Sequence, residues 1–143
     1  MATRFAEADW KGSLQDGQGT MKLGTGTYEG AYTYRSRFEE GPGTNPEELI
    51  AAALAGCFSM ALSGELGRDG FSPNQIHTRA DVIMEIVDGH HTITKIQLNT
   101  EADVPRIDQK TFLEKAETAK KGCPVSRLLT GAKISLNARL VNA

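Results

Sequence analysis

The chain has 143 residues, 39% of them hydrophobic and 24% charged, with a net charge of −2. That length suffices for one domain with a real core, expected to span residues 1–143, and the composition excludes a disordered or fibrous protein. The acidic balance also excludes a chain built to grip phosphate backbones, which needs clustered excess Lys and Arg, so no nucleic-acid partner is expected.

The start, Met1-Ala2-Thr3-Arg4-Phe5-Ala6-Glu7, carries no apolar signal segment, which sets the cytoplasm as the expected location. The first third, rich in Gly, Thr and Tyr, reads as strands joined by tight turns: Thr3 to Trp10, Thr20 to Leu23, and Thr27 to Phe38. A helix follows over Asn45 to Leu66. Asn45 can cap it, Pro46 suits its first position, Glu47 and Glu48 complement its dipole, and Gly67 and Gly70 are candidate stops.

Ile76 to Ile86 alternate in the manner of a strand, Asp88-Gly89 supplies a turn, and the return strand runs from about Thr92 to Val104. A second helix covers Asp108 to Lys121, amphipathic through Phe112, Leu113 and Ala116. Gly122 can end it, and Pro124 can open a short helix reaching Leu129. Lys133 to Val141 reads as a last strand. This order is α+β, without βαβ repetition.

The first helix is apolar on nearly every side, so it must be covered all round. Ser59, Ser63 and Glu65 interrupt its run, and no membrane span is expected. A chain this short has trouble covering such a helix alone, which points to a homodimer packed at or near it.

Two cysteines carry the chemical interest. Cys57 sits mid-helix among Ala, Phe and Met, and Cys123 lies at a helix boundary in Lys120-Lys121-Gly122-Cys123-Pro124. A permanent structural disulfide is not expected in a reducing compartment, where a thiol pair is catalytic, redox-sensing or simply buried. Burial would raise the Cys57 pKa unless a cation compensates. Arg35 and Arg37, at the end of the preceding predicted strand, are the candidates, with Glu47 or Glu48 to hold the guanidinium.

Glu47 and Cys57 are ten residues apart. On one straight helix that is about 15 Å along the axis and about 80° around it, so they do not share a site directly within one chain. Cys123, as cap of the following helix and beside two lysines, has the more favourable local setting for a thiolate. Local chemistry leaves open which thiol reacts first. His77, His90 and His91 are scattered, and with two thiols they give no metal-ligand spacing. No histidine can be placed beside either cysteine, so a Cys-His hydrolase is unsupported.

The run Gly41-Pro42-Gly43-Thr44-Asn45-Pro46-Glu47-Glu48-Leu49-Ile50-Ala51-Ala52-Ala53-Leu54-Ala55-Gly56-Cys57-Phe58-Ser59-Met60-Ala61-Leu62, with Gly122-Cys123-Pro124-Val125-Ser126, closely resembles the osmotically inducible protein C (OsmC) family, relatives of the organic hydroperoxide resistance (Ohr) proteins. The resemblance runs over essentially the whole chain. It implies an OsmC-like fold, with antiparallel sheets packed around a long buried central helix in an intertwined homodimer.

It also implies a thiol-dependent peroxidase acting on organic hydroperoxides. By the resemblance Cys57 is the peroxidatic cysteine and Cys123 the resolving one, Arg37 activates Cys57, and Glu47 orients Arg37, with Arg35 a rival for that role. Cys57 would become a sulfenic acid, condense with Cys123 to a disulfide, and be restored by an external dithiol or lipoyl-type reductant, with no bound cofactor. Apolar neighbours would favour hydroperoxides with an apolar body over hydrogen peroxide. The competing reading is a non-catalytic dimer that binds an apolar ligand or senses oxidants, with Cys57 a mere core residue.

Overall fold

A pair of hydroxyl side chains decides where the third strand stops. The computed structural model describes residues 1–142, which divide into two compact units, Met1–Leu49 and a second beginning at Ile50. In the first unit β1 (Ala6–Lys11), β2 (Gln18–Leu23) and β3 (Glu29–Tyr32) form an antiparallel sheet in the order β1-β2-β3. The strand expected through Phe38 ends at Tyr32, and Tyr34–Phe38 is instead a short helix, α1. The cause is a reciprocal cap: the Ser36 N–H donates to Thr33 Oγ1 at 3.1 Å while the Thr33 N–H donates to Ser36 Oγ at 2.8 Å. Arg35 and Arg37 therefore lie on α1, not at a strand end.

Helix α2 (Pro46–Arg68) starts as its sequence dictates. Asn45 Oδ1 accepts the Glu48 N–H at 2.7 Å, and Pro46 takes the first helical position. Its end is a Schellman motif. The Phe71 N–H donates to the Leu66 carbonyl, the Gly70 N–H donates to that of Gly67, and Gly70 takes φ +80°.

The second unit holds a sheet in the order β4-β5-β6, built from β4 (Gln75–Val87), β5 (His90–Asp103) and β6 (Lys133–Leu140). Asp88 and Gly89 both adopt positive φ, so the hairpin turn is the twist-matched type that Asp-Gly favours. β6 runs parallel to β5, pairing residues 133–140 with 95–102. The sheet is thus mixed where antiparallel sheets were expected. A parallel neighbour needs a crossover, and helices α3 (Gln109–Gly122) and α4 (Pro124–Leu128) provide it. Asp108 caps α3, accepting the Thr111 N–H at 2.8 Å and the Thr111 hydroxyl at 2.9 Å. Those bonds, the backbone one first, hold its carboxyl below its ordinary pKa.

The core of this unit joins Leu54, Phe58, Leu62 and Leu66 of α2 to Ile96, Leu98 and Ala102 of β5 and to Phe112, Ala116 and Ala119 of α3. Inward residues recur every fourth position on α2 and every second on β5, as the two periodicities require. Within the single chain α2 buries one stripe only, while Ala53, Gly56, Met60, Ser63 and Gly64 stay exposed. It is the one helix among the described residues long and apolar enough to cross a membrane by length and composition.

Phe112 is fully buried, whereas its neighbour Leu113 is 41% exposed. Phe112→Ala is expected to cost about 3–5 kcal/mol of unfolding free energy and Leu113→Ala less than about 1 kcal/mol, as read from urea denaturation.

Candidate active site

Cys57 lies on α2 one residue before the buried Phe58, at the edge of the helix's packed stripe, and is half-buried. The rotation of α2 about its axis is set on one side by the leucines. On the other, the Ser59 hydroxyl donates to Thr78 Oγ1 at 2.7 Å, Thr78 and Thr100 share a hydrogen bond of 2.9 Å, and the Thr100 hydroxyl donates to the His77 carbonyl at 3.1 Å. This hydroxyl chain ties α2 to β4 and β5 two residues beyond the sulfur.

Cys123 occupies the joint between α3 and α4. It is the last cap of one helix and the first cap of the next. Its N–H donates to the Ala119 carbonyl and its carbonyl accepts the Arg127 N–H, each at 3.0 Å. Pro124 fixes the first position of α4, as expected from sequence. The Cys123 side chain is fully buried and makes no cap hydrogen bond. Cys57 and Cys123 are joined by a disulfide, with their Cα atoms 6.1 Å apart, inside the range such a bond requires. Of the two bonded residues, Cys57 is the less buried and Cys123 is fully enclosed.

In the first unit, Arg37 and Glu47 form an ion pair. The Arg37 Nε–H and an Nη2–H both donate to Glu47 Oε1, at 3.1 and 2.9 Å. The carboxylate is the better buried partner, and its second oxygen, Oε2, has no hydrogen-bond partner. The pair is thus a fork closed on a single oxygen, not the two-oxygen clasp expected of a bidentate contact. The Ser36 hydroxyl donates to the Thr44 carbonyl at 2.7 Å, and the Asn45 amide donates to the Ser36 carbonyl at 3.0 Å, which fixes α1 against the start of α2. Arg35 is engaged elsewhere, 3.8 Å from Glu39 and bonded to the Glu40 carbonyl, and is exposed.

Sequence reasoning passed over the aromatic groups around Arg37. A groove of about 270 Å³ is lined by Trp10, Leu14, Tyr32, Tyr34, Phe38 and Arg37. Tyr34 and Phe38 stack one helical turn apart at 5.0 Å, and the Arg37 guanidinium lies 5.1 Å from the Phe38 ring centre. The signal available was the i,i+4 spacing of Tyr34 and Phe38 behind a Thr-x-x-Ser cap.

A partly buried helical cysteine bonded to a fully buried one at a helix joint defines a dithiol–disulfide centre. A profile of OsmC-like proteins matches residues 39–137. Peroxiredoxin OsmC of Escherichia coli (strain K12) is 48% identical over 135 residues, covering 94% of each chain. The fold is shared with an organic hydroperoxide resistance protein OsmC from Legionella pneumophila, at 22% identity and a TM-score of 0.74 over 99% of this chain and 100% of that one. It is shared as well with OhrB of Bacillus subtilis, at 22% identity and a TM-score of 0.71 over 94% and 97%. The chain belongs to the OsmC family.

The Arg37–Glu47 contact is close and partly shielded, whereas Arg35–Glu39 is long and solvent-exposed. Glu47→Ala is expected to lower stability by about 1 kcal/mol and Arg35→Ala by less than about 0.5 kcal/mol, measured by urea melts in low and high salt.

Proposed function

We propose that the Cys57–Cys123 centre is that of a thiol-dependent peroxidase reducing organic hydroperoxides to alcohols. The observation that carries this reading is the disulfide between Cys57, partly buried on α2, and the fully buried Cys123, in a chain 48% identical to a peroxiredoxin. The Cys57 thiolate attacks the terminal peroxide oxygen, the O–O bond breaks, and the alcohol leaves. Cys57 is then a sulfenic acid. The Cys123 sulfur displaces its hydroxyl as water, and the disulfide forms. An external dithiol, such as a lipoyl-type one, returns both thiols. The chemistry is cysteine-based and needs no metal or prosthetic group, and a reducing cytoplasm suits its turnover.

Arg37 is assigned the stabilisation of the Cys57 thiolate and of charge developing on the leaving oxygen. Glu47 is assigned the orientation of that guanidinium, which its two hydrogen bonds support. Glu47 and Cys57 are separated by about 15 Å on one helix, so a second subunit bringing its own Arg37 and Glu47 is one way to assemble the site. The uncovered face of α2 through Gly56, Met60 and Gly64 supports a homodimer.

Steady-state hydroperoxide consumption with a dithiol tests the roles. Cys57→Ser is expected to lose turnover completely while keeping its fold. Cys123→Ser should undergo one oxidation, visible as a sulfenic acid by mass spectrometry, and fail to recycle efficiently. Activity retained by Cys57→Ser would overturn the assignment. Light scattering at micromolar concentration is expected to give twice the chain mass, and a single-chain mass would remove the dimer.

A further inference from the structure

Ser126 is nearly fully buried, with 6% of its surface exposed, and its hydroxyl has no hydrogen-bond partner. A buried hydroxyl left unpaired is costly, and such groups in folded proteins call for an explanation. The cause here is local. Ser126 is the third residue of α4, whose cap is Cys123. A polar side chain at that position can reach back to the N–H of its cap residue, and Ser36 does so to Thr33 in this same chain, at 2.8 Å. At the α3–α4 joint that N–H is already given to the Ala119 carbonyl. The hydroxyl of Ser126 is therefore left unpaired in the first turn of the helix that Cys123 caps, while the Cys123 sulfur is held in a bond to Cys57.

We propose that Ser126 is the hydrogen-bond donor to the Cys123 sulfur when the disulfide opens, and so a catalytic residue of the reductive half of the cycle. The inference rests on the peroxidase reading above. In the disulfide the Cys123 sulfur carries no charge and is a poor acceptor. As a thiolate it takes the Ser126 Oγ–H, and a hydrogen bond to the charged form favours that form.

The step balances as follows. A thiolate of the external dithiol attacks the sulfur of Cys57, the less buried of the two residues. The Cys57–Cys123 bond breaks, and its electron pair departs on Cys123, toward the Ser126 hydroxyl. The second sulfur of the dithiol, deprotonated, then attacks the mixed disulfide, closes the reductant to its own disulfide and releases Cys57 as a thiolate. Two electrons pass from the dithiol to the protein, and its two protons go to solvent or to the freed thiols. Lower proton affinity at the departing sulfur speeds the first displacement. The donor thus directs attack to Cys57 and away from Cys123.

Ser126→Ala deletes an unpaired buried group, so no loss of stability is expected. In a Cys57→Ser background Cys123 is the only thiol, and ultraviolet thiolate absorbance follows its titration. Ser126→Ala is expected to raise the midpoint by about one pH unit, a tenfold smaller thiolate fraction, and Ser126→Thr to restore it. With Cys57 intact, reduction of the oxidised protein by dihydrolipoamide should slow several-fold in Ser126→Ala. Should Ala fail to pack, Ser126→Gly deletes the same hydroxyl and gives both readings. An unmoved midpoint or an unchanged reduction rate overturns the proposal. Neither measurement uses a hydroperoxide. Failure of the wild-type protein to consume hydroperoxide would therefore sink the peroxidase reading without touching the titration.

Discussion

Two sulfurs 66 residues apart in sequence can meet only if helix α2 is held at one rotation about its own axis. Four side chains at intervals of four, Leu54, Phe58, Leu62 and Leu66, impose that rotation by filling the space above β5 and α3. A turn of α2 by one residue would swing Cys57 through about 100° and take it out of reach. The Ser59–Thr78–Thr100 hydroxyl chain adds what packing lacks, since apolar contacts tolerate sliding and hydrogen bonds do not. The placement of this end of the disulfide is therefore a property of the core.

The partner sulfur is placed by different means. Cys123 serves two helices at once, so both of its backbone polar groups are committed, and its side chain is the group that bonds Cys57. The Pro124 ring stops α3 from running on. Backbone chemistry thus fixes one end of the disulfide and side-chain packing the other. The unequal exposure of the two cysteines follows from this difference, because a helix face can stay open where a helix joint cannot.

Much of this was legible in the sequence, because the signals were local and strong. Asn45-Pro46, Asp88-Gly89 and Cys123-Pro124 each dictate a cap or turn with little competition, and the structure has them all. The misread stretch was 33–38. There β-favouring Tyr, Thr and Phe outweighed the Thr33-x-x-Ser36 cap, and a helix of one turn is too short to show a periodicity. The direction of β6 was not legible either. Its alternation fits both senses of pairing, and only the length of the connection through α3 and α4 decides. The ion pair of Arg37 with Glu47 was anticipated in its partners but not in its geometry, since which carboxylate oxygen is used depends on how α1 is tethered to Thr44 and Asn45.

The parallel pairing of β6 with β5 has a temporal consequence. β5 is the central strand of its sheet, yet one of its two edges is completed by the last strand in chain order. During synthesis β4 and β5 can zip together at once, while the other side of β5 stays bare until the crossover helices and β6 have emerged. That open margin, on the strand that carries the buried Ile96 and Leu98, is open to pairing with the wrong strand until β6 arrives.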